Sequence, residues 1–131
     1  MNESEYVSAI LTIREQVGFL WNFYVTACVF LIGWIFSSKV IWNETKRKAV
    51  IGLFVAFALM NLSAIYDEYS LLSAATGQLA QMSSPQDRFL STLATDSGMG
   101  AFLASVLHLG ADVFIIYLIN LRCRSEQSHS E

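Results

Sequence analysis

Gly98–Leu121, GMGAFLASVLHLGADVFIIYLINL, is the stretch that decides how the chain must fold. It is apolar for about 24 residues, enough at 1.5 Å per residue to cross a hydrocarbon core of roughly 30 Å. Near its middle stand His108 and Asp112, four residues apart and so one turn above the other on one helix face. Ala101 and Ser105 continue that face in one direction and Asn120 in the other. The opposite side carries Phe102, Leu103, Val106, Phe114, Ile115, Tyr117 and Leu118, which lipid accepts. An aspartate at this depth costs at least a few kcal/mol unless it is buried against protein, paired or protonated. Other helices of the chain must supply that burial.

The composition agrees. Of 131 residues 54% are hydrophobic and 15% charged, and the mean hydropathy is +0.46, which describes a small integral membrane protein with a single domain. The net charge is −3, and no basic run is interleaved with aromatics, so nucleic acid is excluded as an expected partner and the lipid bilayer takes its place. Two cysteines are too few for a disulfide framework, and Cys28 and Cys123 fall in or beside different apolar segments. The first apolar segment is not a cleavable signal, because Glu3 and Glu5 make its leading region acidic and no small-residue cleavage site follows.

Working outward from the quoted stretch, two further spans appear. Residues 4–16 read as an amphipathic helix on Tyr6, Ile10, Ile13 and Val17, a rhythm that continues through Leu20 and Tyr24 into a span at 17–38. Trp21, Tyr24, Trp34 and Trp42 sit where aromatic belts do. Asn22, Thr26, Gly33 and Ser37 form a polar and small stripe suited to close helix approach. After the basic turn KVIWNETKRK the second span covers 49–66, with Gly52, Ala56 and Ser63 on one face and Asn61 elsewhere. Its helical spacing runs on through 67–82 on Leu71 or Leu72, Ala75, Leu79 and Met82. Ser84, Pro85 and Asp87 signal the start of another helix over 85–96, with Phe89, Leu90 and Leu93 apolar. Residues 122–131 have no periodicity and read as a flexible cytoplasmic tail.

The expected fold is all-α: an up-down-up bundle of three transmembrane helices, spans 17–38, 49–66 and 98–121, extended beyond the outer membrane surface. Lys39, Lys46, Arg47, Lys48, Arg122 and Arg124 lie on one side, against Arg14 and Arg88 on the other. The positive-inside rule then puts the N-terminus outside and the C-terminus in the cytoplasm, in an inner or plasma membrane.

For function, Asp112 and His108 lead, as a protonatable or ion-binding pair with Asn22, Thr26, Ser105 and Asn120 as polar company. The competing reading is a hydrogen-bonded pair that fixes helix register against Gly33, Gly52 or Ala56. Asn61 reads as an interhelical hydrogen bonder. One histidine and one carboxylate make at most two ligands, so neither a metal nor a cofactor is expected. No nucleophile elbow, P-loop, HExxH, CxxC pair or dinucleotide fingerprint occurs, so an enzyme is not expected. The leading expectation is a homo-oligomer lining a polar path for ions or protons through the third span. The alternatives are a non-catalytic accessory or assembly subunit bound to another membrane protein, or a holin-like pore former. Three spans of this topology look like those of some phage holins and of small subunits of larger membrane complexes, in architecture alone.

Overall fold

The computed structural model of the chain describes residues 2–37, 41–82, 88–95 and 99–127. These form four helices: α1 Glu3–Ile35, α2 Glu44–Met82, α3 Arg88–Thr95 and α4 Ala101–Gln127. Among the described residues there is no strand. Three of the helices, α1, α2 and α4, are long and apolar enough to cross a membrane, which makes the chain a multi-pass membrane protein with the helical-bundle fold that the spacing predicts.

Local chemistry sets the helix starts. Asn2 caps α1: its side-chain oxygen accepts from the Glu5 backbone N–H at 3.0 Å, while the Glu5 carboxylate accepts from the Asn2 N–H at 2.7 Å. That reciprocal box satisfies two of the amides a helix start leaves open. Asn43 makes a one-way cap for α2, its side-chain oxygen accepting from the Lys46 N–H at 2.8 Å. The Ser84–Asp87 start signal lies outside the described residues.

Helix α1 is continuous past Val17 and α2 past Tyr66, and α2 is the central element, packed on α1, α4 and α3. Calling the end that carries the N-terminus and α3 the upper end, the core has two apolar parts. The upper part gathers Ile10, Val17, Ile65, Leu72, Leu79, Leu93 and Ala104. Ile10, Leu72, Leu79 and Leu93 are among the residues on which the extensions are expected to pack. The lower part gathers Cys28, Ile35, Trp42, Phe54, Ala58, Ile115, Ile119 and Cys123.

Four details differ from the sequence expectation. Trp42 is buried and packs edge-to-face on Trp34 at 5.4 Å, so it belongs to the core as well as to a belt. Ile115 is buried, not lipid-facing, because the inward stripe of α4 runs His108, Asp112, Ile115, Ile119 and Cys123. Gly52, Ala56 and Ser63 lie exposed, and α2 packs through Phe54, Ala58, Asn61 and Ile65 instead. Finally, α4 continues to Gln127, past the expected tail start at Arg122, since Cys123 extends the buried stripe and Ser125 Oγ donates to the Arg122 carbonyl at 2.8 Å. Both cysteines are free and buried.

Candidate functional site: a closed polar cluster between the spans

Asp112 and His108 meet partners from both other spans. Tyr24 of α1 donates its hydroxyl to Asp112 Oδ1 at 2.7 Å. His108 Nδ1 lies 2.9 Å from Asp112 Oδ2, and His108 Nε2 lies 3.1 Å from Asn61 Oδ1 of α2. The Tyr24 and His108 rings stack with centroids 3.9 Å apart, and Trp21 lies beside the imidazole at 6.1 Å. His108 has no exposed surface, Tyr24 is 2% exposed, Asn61 6% and Asp112 8%.

The atoms facing His108 fix its chemistry. Nε2 meets the Asn61 amide oxygen, an acceptor, and so carries a hydrogen. Between Nδ1 and Asp112 Oδ2 there is room for one proton. With that proton on nitrogen the pair is imidazolium and carboxylate; with it on oxygen both groups are neutral. The cluster has zero net charge either way, which is the form of polar group a bilayer interior tolerates.

Apolar layers close the cluster at both ends. Val17, Ile65 and Ala104 lie above it on the three helices, and Cys28, Ala58 and Ile115 lie below. The arrangement can hold a proton and lock three helices in register.

The other expected site residues stand apart. Ser105 donates to the Ala101 carbonyl at 2.8 Å and Asn120 to the Ile116 carbonyl at 2.9 Å, each satisfied within α4. Asn22 and Thr26 are exposed on α1, facing away from Asp112, and among the described residues neither makes a side-chain hydrogen bond. Gly33, on the same stripe, is also open, with free space where a Cβ would stand. The register partners considered for the pair, Gly33, Gly52 and Ala56, are therefore not its neighbours. Its partners are Tyr24 and Asn61. Tyr24 is the residue that polarity alone misassigns, since its place at the end of a span resembles that of a belt aromatic. The usable signal is its position on the buried Ile10–Val17–Tyr24 rhythm. Among the described residues no group of three or more metal-ligating side chains occurs. No protein-family model, no curated protein and no solved structure matches the chain.

Proposed function

We propose that this protein is a non-catalytic membrane assembly subunit: a prelocked three-helix bundle that presents a polar stripe of α1 to a further transmembrane helix. The observation that carries this reading is the contrast between two polar sets. His108 and Asp112 are enclosed and partnered, whereas Asn22 and Thr26 are exposed and without partners among the described residues, in a helix long and apolar enough to span the bilayer. Asn22, Thr26, Val29 and Gly33 repeat at steps of four, three and four, the spacing of a left-handed helix pair. An asparagine amide both donates and accepts, so the stripe is complementary to itself around a two-fold axis. The partner it fits first is α1 of a second copy.

The test is cysteine cross-linking in bilayers, with Cys28 and Cys123 replaced by alanine. Thr26→Cys should form a disulfide-linked dimer, and Phe102→Cys on the lipid-facing side of α4 should not. Absence of a Thr26→Cys dimer, with the protein monodisperse as a monomer in nanodiscs, contradicts the reading.

The buried His108–Asp112 pair supports a second reading, a path for protons along α4. The apolar layers above and below the cluster weigh against it. Proton flux into liposomes, present in wild type and lost in Asp112→Asn, would make conduction the function instead.

A further inference from the structure

A groove runs along the α1–α2 seam on the side away from α4. Its upper part, about 290 Å³, is walled by Phe19, Phe23, Phe57, Met60, Ala64 and Asn61. Its lower part, about 320 Å³, is lined by Leu31, Trp34, Leu53 and Phe57 among others, so Phe57 joins the two. The lining is almost wholly apolar, as expected for a surface bathed in lipid. The exception is Asn61. Its oxygen is engaged by His108, but its amide nitrogen has no hydrogen-bond partner among the described residues. That leaves a donor, on a side chain only 6% exposed, at the wall of a lipid-facing groove.

Depth narrows what can meet this donor. Asn61 is twelve residues from Ala49 and five from Tyr66, about 18 Å and about 7.5 Å along the helix from the two expected membrane edges, and so inside the hydrocarbon core. Phospholipid ester carbonyls lie at the edges of that core and water is scarce within it. An acceptor at this depth must be carried there by a molecule that dissolves in the bilayer interior. The groove also selects shape: Phe19 stacks on Phe23 at 6.3 Å, and Phe23 meets Phe57 edge-to-face at 5.7 Å, which makes an aromatic wall for a flat ring.

We infer that the groove is a binding site for a lipid-soluble carbonyl compound with a flat ring and a long apolar tail, of the alkyl- or prenylquinone class. The ring lies between Phe19, Phe23 and Phe57 with one carbonyl oxygen accepting from Asn61 Nδ2, and the tail follows the groove past Phe57 toward Trp34. Binding involves no electron transfer. The site is separate from the Asn22–Thr26 stripe, neither residue of which lines it.

The probe is decyl-1,4-benzoquinone, titrated into the full chain in phosphatidylcholine nanodiscs and read by quenching of tryptophan fluorescence, Trp34 lying in the groove. Quenching should saturate at one quinone per chain, and decylbenzene, which keeps ring and tail without the carbonyls, should not compete. Asn61→Leu removes the donor and should weaken binding about tenfold. Ala64→Phe fills the groove without touching the polar cluster and should weaken it at least as much, which keeps the test decisive should Asn61→Leu unfold. Quenching that rises linearly without saturation overturns the proposal. So does equal competition by decylbenzene, or wild-type affinity in folded Asn61→Leu or in Ala64→Phe.

Discussion

Asn22 and Tyr24 are two residues apart on α1, and they face opposite ways. Tyr24 points into the bundle and closes a cluster in which His108 and Asp112 each reach a partner on another helix. Asn22, with Thr26 one turn on, points outward and has no side-chain hydrogen bond among the described residues. The difference separates two uses of polarity in a membrane. A closed cluster supplies register and internal stability. An open stripe supplies nothing until another helix arrives, and is then worth association.

The cost of a substitution in either polar set follows how much it leaves unsatisfied. The largest effect belongs to His108→Leu. It removes the proton partner of Asp112 and leaves a buried carboxyl with only the Tyr24 hydroxyl, for a loss of about 3 kcal/mol or more. Unfolding in a denaturing detergent titration measures it; an unchanged midpoint would mean the cluster adds no stability. Next is Tyr24→Phe, which keeps the stacked ring but strips one donor from Asp112, at about 1–3 kcal/mol by the same measurement.

Asn22→Leu should leave that unfolding midpoint where it is and act on association instead. Loss of an interhelical hydrogen bond of about 1 kcal/mol weakens self-association several-fold, measurable by energy transfer between labelled chains in bilayers. A fall in unfolding stability with no change in association would reverse the roles assigned to the two sets.

The smallest effect lies at the foot of α2. A hydrogen bond from Lys48, with the charge of Arg47 alongside, holds the Glu44 carboxyl below its usual pKa. A lowered folded-state pKa means stability present above the unfolded value of about 4.3 and lost as pH falls through the folded one. The group is fully exposed, so Glu44→Gln should remove only a slight acid-side slope in thermal stability, and none above about pH 5. A slope of equal size in both proteins would show that the pair does nothing.

The same contrast explains what was legible in the sequence. The length and apolarity of three segments, the continuity of α1 past Val17, and the shared face of His108 and Asp112 follow from composition and the helical repeat. The rotation of each span about its own axis does not. In water the polar side of a helix marks solvent and the apolar side marks the core. In lipid both sides are apolar, so hydrophobic periodicity does not say which face is inside. Asn22 and Thr26 therefore pass for partners of Asp112, and Gly52 and Ala56 for a packing face, until contacts are known. The extensions escape this ambiguity because their polar residues alternate with Ile10, Leu72, Leu79 and Leu93, all of which are buried. Tyr24 combines both signals, lying on the periodic stripe while having the composition of a belt residue.

On this reading the polar cluster of α4 is sealed inside one bundle and not open to water. That seal is tested most directly by nitrogen NMR of the imidazole in hydrated bilayers, using His129→Gln so that His108 alone reports. The expected result is a hydrogen on Nε2 that shows no exchange with water. An Nε2–H that exchanges readily with water would contradict it and return His108 and Asp112 to an aqueous path.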